Sequence, residues 1–537
     1  MEGGDYTAPK SCSAGFAPVL FRDSGTCDDV AGSRPAARSE PEIKMKPANL
    51  LVILSDQHNP RIAGCYGHPM AKTPNLDRLA SRGTRFTAAY TNSPICVPAR
   101  ASFATGRYVH QIRFWDNAIA YDGSVPAWGH RLMAQGHRVT SIGKLHYLSA
   151  DPARDGFHEE IIPMHIADGI GDLSGLIRDE VIVRTGARKL GPQAGPGESE
   201  YTRYDRDIAA ETCRWLEQEA PKHRDKPWVL YVGFVCPHPP FLAPEAFFRL
   251  YDEKTIPMPD RYSVAERPRH PYLDALARGR PYDDGFSGPE MVRRAIAAYY
   301  GLVSFLDDNV GKVLAALERA GLAASTRVMY GSDHGENLGT RGLWAKSTLF
   351  EEAAGIPLIM AGPDVPQGRT VDTPVTLVDA FPTILQCVGA RASAEDGDLP
   401  GASLFDVANG ALRDRSAFSE YHATASICGC FMIRRGRYKY VHYVGFDPML
   451  FDLAADPYER VDLASDPEHR PVLDEYENEL RRLLDPDAVD RSARADQARC
   501  MERFGGKAAI MKRGSITHTP PPGVKATLHP VEADRHP

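Results

Sequence analysis

The sequence lacks several features that would decide its class at once. Across 537 residues no apolar run approaches the ~18 residues a bilayer-crossing helix needs, so no spanning helix is expected and no membrane partner is assigned. Basic residues do not dominate: 63 Lys and Arg stand against 70 Asp and Glu, a formal charge of −7. That balance leaves no electrostatic footprint for nucleic acid. No Gly-x-Ser-x-Gly occurs, and no Gly-Lys is followed by Ser or Thr, which argues against a serine hydrolase and a P-loop nucleotidase. The ten cysteines are scattered without a C-x-x-C pair, so they form neither a secreted disulfide framework nor a zinc site.

What is present is ordinary globular composition, 43% hydrophobic and 25% charged. Residues 1–47 carry Gly, Ser, Pro and mixed charge without hydrophobic periodicity, and read as a disordered leader. The apolar stretch at 13–21 is short and broken by Pro18, so no secretory signal is assigned and the cytoplasm is the expected location. Continuous apolar runs follow at 49–55, 138–142, 228–235, 327–331 and 356–361, separated by helical patterns such as 73–80 and 295–320. Runs of that kind are buried strands, and their alternation with helices predicts an α/β domain over 48–410. Its core is a large, mainly parallel (mixed) sheet sandwiched by helices. Residues 411–485 change character, with a Tyr-rich alternating stretch at 434–443, the segment 450–453 and a charged helix at 471–484. They predict a smaller C-terminal α+β subdomain. Residues 486–537 are polar and end in Pro- and His-containing coil, a tail expected to be disordered or to serve as an oligomerisation arm.

Ligands of open α/β sheets bind beyond the carboxyl ends of the strands, so the residues after each run are informative. The runs end in Asp56-Gln57-His58, Gly143-Lys144-Leu145-His146, Cys236-Pro237-His238-Pro239-Pro240 and Ser332-Asp333-His334-Gly335-Glu336. Each alone reads as a helix cap or turn residue. Four such endings from distant parts of the chain predict one shared site. Asp56, Gln57, Asp333 and His334 form an oxygen-rich set suited to a hard divalent cation such as Ca²⁺, Mg²⁺ or Mn²⁺. Lys144, His146, His238 and Lys346 would surround that cation with positive charge, as a tetrahedral anion requires.

The sharpest feature is Ser93-Pro94-Ile95-Cys96-Val97-Pro98-Ala99-Arg100, a loop entering a helix with Cys96 at its start and Arg100 one turn on. A helix N-terminus binds anions and lowers a thiol's pKa. A lone Cys there would be an ordinary buried residue, but the pattern C-x-P-x-R argues otherwise.

With these motifs the chain resembles the type I sulfatases of the alkaline phosphatase superfamily, over roughly 49–463. Asp56-Gln57 and Asp333-His334-Gly335-Glu336 are similar to that family's metal pairs, and Cys96-Val97-Pro98-Ala99-Arg100 to its maturation signature. Thr73-Pro74-Asn75-Leu76-Asp77, Gly143-Lys144-Leu145-His146 and Gly342-Leu343-Trp344-Ala345-Lys346 also match. Tyr66-Gly67-His68-Pro69, Trp115-Asp116-Asn117-Ala118 and residues 434–443 look like choline sulfatases. Phosphonate monoester hydrolases share the Cys-x-Pro-Ala-Arg form but typically lack the Lys/His pair kept here at Lys144 and His146, so sulfate is favoured. Two departures stand out. Ala99 replaces the usual Ser, and no Trp occurs between Trp128 and Trp215 to cover a quaternary ammonium, which weighs against choline-O-sulfate.

The resemblance implies an alkaline-phosphatase-like fold and hydrolysis of an aryl or small alkyl sulfate monoester. It makes Cys96 the source of formylglycine, through a formylglycine-generating enzyme, and includes Cys96 with Asp56, Gln57, Asp333 and His334 around one metal, Ca²⁺ first. Arg100 would help ionise the nucleophile. Lys144, Lys346, Asn117 and His238 would bind the substrate, His238 with Lys346 would protonate the leaving alcohol, and His146 would act as base. A homo-oligomer, dimer or tetramer, is expected. The alternatives are a phosphonate monoester hydrolase or phosphodiesterase on the same scaffold, or a choline sulfatase specifically. The alcohol-side pocket is expected from residues 157–204 and 241–290.

Overall fold

The computed structural model describes residues 45–534, so most of the leader lies outside the described residues. Eight strands form the central sheet: β1 (Asn49–Asp56), β2 (Gly83–Phe86), β3 (Val139–Lys144), β4 (Glu159–Met164), β5 (Val229–Pro237), β6 (Thr326–Ser332), β7 (Leu358–Ala361) and β8 (Arg369–Val371). Their order is β8-β2-β7-β6-β1-β5-β3-β4. β6, β1, β5, β3 and β4 are parallel neighbours, whereas β7 runs antiparallel to both β6 and β2. The run at 356–361 is therefore the exception to the parallel pattern, and the sheet is mixed.

Alternation along the strands explains the continuous apolar runs. Leu51 and Ile53 pack on one face with α1 (Pro74–Ser81), α3 (Glu200–Arg214) and α4 (Pro289–Arg319). Leu50, Val52 and Leu54 pack on the other with α2 (Cys96–Thr105) and α5 (Ala380–Val388). A strand covered on both faces has no polar side to show.

Beyond residue 410 a four-stranded antiparallel meander follows: β9 (Ala417–Tyr421), β10 (Cys430–Arg435), β11 (Tyr438–Tyr443) and β12 (Phe446–Asp452). The Tyr-rich stretch is thus the end of one strand, a turn and the next strand. Phe431 and Ile433 meet Leu473, Tyr476 and Leu480 of α6 (Arg470–Leu483). Buried charge ties this layer to the main domain: Lys439 Nζ lies 2.9 Å from Glu351 and 2.8 Å from Glu459, while Arg341 and Arg61, paired with Glu352 at 3.0 and 2.9 Å, donate to the Tyr458 and Pro457 carbonyls.

The tail differs from the coil predicted for it. It forms α7 (Pro486–Arg503) and α8 (Gly506–Arg513), then folds back over its own chain. β13 (Ser515–Ile516) pairs with β14 (Leu528–His529), and β15 (Val531–Ala533) pairs antiparallel with the short strand Ile182–Arg184.

Candidate active site

Because β6, β1, β5 and β3 are adjacent and parallel, their carboxyl ends open on one edge, and the residues following them converge there. Close backbone approach is needed where β3 ends. A Cβ at Gly233 would lie 2.1 Å from the Lys144 carbonyl oxygen, so only glycine lets β5 pass. Gln57, His146, Ala345 and Ser347 all hold positive φ, between 61° and 83°. Backbone strain of this kind clusters at functional sites.

Cys96 is the first residue of α2, and its Sγ lies 3.2 Å from His334 Nε2, 3.7 Å from Asp56 Oδ1 and 2.9 Å from Lys346 Nζ. Asp56, Cys96, Asp333 and His334 each offer one ligand atom, all within 4.8 Å of one another and all buried. His334 Nδ1 donates to Gly335 O at 3.0 Å, because a carbonyl can only accept, and this leaves the Nε2 lone pair facing the cluster. Gln57 presents Oε1 toward the same side, where Lys346 donates to it at 2.8 Å, while its Nε2 donates to Glu336. Two carboxylates, an amide oxygen and an imidazole suit a hard divalent cation. His58 is not part of the group, since its ring bonds Tyr330 OH at 2.7 Å and Ile62 O at 3.0 Å.

Arg100 is almost wholly buried and spans the carboxylates, donating from Nε to Asp333 at 2.8 Å and from Nη2 to Asp56 at 3.4 Å. Its Nη1 reaches Tyr231 OH at 3.0 Å and Lys144 O at 2.9 Å. Lys144 Nζ sits 2.5 Å from Asp56. Against the cost of burial, Lys144 and the other cations hold Asp56 well below the usual carboxylate range. The thiol departs from the sequence expectation: burial first, then Asp56, push Cys96 up despite its helix N-terminus.

Two histidines flank the cations. Burial, then Lys144 and Arg100, hold His146 well below its ordinary value, and its Nδ1 is buried without a partner. Burial and Lys346 do the same to His238, whose Nδ1 meets Pro239 O at 2.7 Å. Asn117 accepts from the Val97 N–H at 3.2 Å through Oδ1, which leaves Nδ2 as its donor toward the cavity.

All eleven residues singled out in the sequence come together here. Others escaped that reading. Glu336, part of the second metal motif but given no role there, anchors the Lys346 loop by accepting from the Leu338 N–H at 2.9 Å and the Ala345 N–H at 2.5 Å. Tyr231 points inward from β5. Asp172 and Arg184, and Arg280 with Tyr282, come from the two loops expected to form the alcohol-side pocket. The tail supplies a wall that no motif announced. Thr519 Oγ1 lies 2.8 Å from His146 Nε2, Tyr201 OH donates to Thr519 O at 2.6 Å, and the His518 ring lies edge-on, 5.8 Å from His238. Burial and Lys346 lower His518 to about 3, and its Nδ1 is buried without a partner. Together these groups enclose a narrow cavity of about 50 Å³.

The sulfatase family model matches residues 48–390. The chain belongs to the sulfatase family. A second model, for the C-terminal part of N-sulphoglucosamine sulphohydrolase, matches residues 339–485. The sulfatase is 32% identical to a choline-sulfatase of Rhizobium meliloti (strain 1021), over 84% of this chain and 90% of that protein. It is 26% identical to arylsulfatase K of Homo sapiens, over 80% and 81%. Its fold is similar to the crystal structure of a phosphonate monoester hydrolase of Agrobacterium radiobacter, with 25% identity, a TM-score of 0.66, and 84% and 96% of the two chains covered. The enzyme is a sulfuric ester hydrolase on an alkaline-phosphatase-like scaffold.

Proposed function

We propose that the enzyme hydrolyses a sulfate monoester from a formylglycine formed at Cys96, with one divalent cation held by Asp56, Gln57, Asp333 and His334 beside residue 96. The observation that carries this reading is the position of Cys96, at a helix N-terminus within the donor group and beneath Lys144 and Lys346. A thiol pushed up by burial is a poor thiolate nucleophile, which favours conversion of the residue over use of its sulfur. A formylglycine hydrate supplies one hydroxyl for attack on sulfur and a second whose ionisation releases sulfate by C–O cleavage. The cation, Ca²⁺ in preference to Mn²⁺ or Mg²⁺, supplies Lewis acidity toward a sulfate oxygen.

The chain's own residues do the rest. Arg100, charged and clamped between Asp56 and Asp333, holds the donors in place and favours an anionic oxygen at residue 96. Lys144, Lys346 and the Asn117 Nδ2 hold the sulfate oxygens where negative charge builds up. Burial and Lys346 keep His238 neutral, and an anionic substrate raises its proton affinity. It then protonates the leaving alcohol with Lys346 alongside. His146, kept neutral by burial and then by Lys144 and Arg100, accepts the proton of the second hydroxyl, and Thr519 orients its ring. The Lys144 and His146 pair inside the cavity favours sulfate over a phosphonate monoester.

Mass spectrometry of the peptide holding Cys96, from enzyme co-produced with a formylglycine-generating enzyme, is expected to find an aldehyde in place of the thiol. Active enzyme carrying only unmodified cysteine would overturn the mechanism. Parallel rates on 4-nitrophenyl sulfate and a phenylphosphonate monoester separate the two reaction classes, and the sulfate is expected to be turned over faster. We place the enzyme in the cytoplasm, in keeping with the free thiols of Cys65, Cys96, Cys213, Cys236, Cys387, Cys428 and Cys430. The expected dimer or tetramer remains our proposal from the sequence, checked by light scattering.

A further inference from the structure

The wall opposite the sulfate-facing cations has a charge imbalance of its own. The narrow cavity shares Lys346, Arg280 and Tyr282 with an adjoining cavity of about 270 Å³, so the alcohol half of a substrate leads from one into the other. Among the residues lining the inner cavity beyond the cluster, Asp172 is the carboxylate, and it is already engaged. It pairs with Arg184 and accepts from Ser174 Oγ at 2.8 Å and from the Ile516 N–H at 3.3 Å. The arginines of the outer cavity are engaged as well: Arg267 with Asp283 at 2.7 Å, Arg278 with Asp534 at 2.8 Å and Arg188 with Asp284 at 3.4 Å. Arg280 differs from all of them. Its Nη1 donates to Ser347 Oγ at 2.5 Å and its Nη2 to Tyr282 OH at 2.8 Å, both neutral acceptors. Among the described residues no carboxylate pairs with it.

A half-buried guanidinium with neutral partners, set beside the cations that hold sulfate, is costly unless an anion arrives. Its planar fork suits a carboxylate or a sulfate, to which it bonds in a bidentate fashion. A quaternary ammonium in the same place would face Arg280 and find no free carboxylate. We propose that the alcohol half of the substrate is itself anionic, and that Arg280 is the specificity-determining residue binding its second oxyanion, a carboxylate or a further sulfate. This inference rests on the sulfate-ester reading above.

The test is a substrate panel on the matured full-length enzyme: 3-carboxyphenyl sulfate, the 1,3-disulfate of resorcinol, 3-carbamoylphenyl sulfate as the neutral match, and choline-O-sulfate. A charge-assisted bidentate contact predicts that kcat/KM for at least one anionic ester exceeds that of the carbamoyl ester by about tenfold or more, mostly through KM. Which of the two leads tells carboxylate from sulfate. Arg280→Gln is expected to shrink that ratio to below about threefold, and Arg280→Lys to restore part of it. The wild-type panel stands alone should either variant misfold. Anionic and carbamoyl esters used equally, or a preference for choline-O-sulfate, would overturn the anionic subsite while leaving sulfatase activity intact. Turnover of a phenylphosphonate ester with no sulfate ester hydrolysed would instead overturn the underlying reading.

Discussion

At the scale of single residues the site is a set of opposed charges whose removal has separable effects. Asp333 holds Arg100 at 2.8 Å and supplies a donor atom to the cluster. Asp333→Asn is therefore expected to release the metal, read by elemental analysis of the purified protein, and to lower kcat/KM by at least about 10³-fold. Metal retained at full stoichiometry would refute the ligand assignment. His238 has a different signature. As the proposed proton donor to the alcohol it would matter most when the leaving group is poor, so His238→Gln is expected to cost about 10²-fold or more on an alkyl sulfate and far less on 4-nitrophenyl sulfate. A uniform loss across leaving groups would make it a binding residue instead.

The elements show where local pattern is informative and where it is not. The ends of β1, β3, β5 and β6 were readable because a strand buried on both faces is apolar until it reaches the edge, where a polar residue marks the boundary. α7 was not readable. It buries Asp490, Ala493, Asp496 and Gln497, whose partners are Arg178 at 2.7 Å for Asp490, Arg113 at 2.7 Å for Asp496 and Asp116 at 2.8 Å for Gln497. A helix docked through ion pairs and amide bonds carries no hydrophobic period to detect. The same tail then lays residues 516–519 across the cavity. Deleting residues 515–537 is expected to leave a folded enzyme, since the removed strands are short edge pairings, and to raise KM about tenfold by uncovering His146 and the alcohol-side wall. An unchanged KM would show that the tail does not shape the pocket.

Across the whole molecule, buried charge joins the C-terminal meander to the catalytic layer. Glu352 lies beside that junction, and although burial opposes it, Arg341 and Arg61, which also donate to the Tyr458 and Pro457 carbonyls, hold its carboxyl down to about 2. A group depressed in the folded state contributes stability above its unfolded value, near 4.5, and loses it as pH falls toward 2. The wild-type enzyme is thus expected to lose about 3 kcal/mol from this group across that acid window. Glu352→Gln should be less stable at neutral pH and show a flatter pH dependence between 4.5 and 2, measured by chemical denaturation. Identical pH dependences would place the linkage elsewhere.

Taken alone, the sequence determined the covered sheet, the converging strand ends and the motif around residue 96, because each is written in local composition or a short pattern. The antiparallel course of β7 and the wall on the alcohol side were decided by tertiary structure. His146 and Thr519 meet across 373 positions of chain, and Arg280 is distinctive only because the arginines around it are paired. Which charges are matched is a property of distances between loops, and those distances exist only once the sheet has brought the loops together.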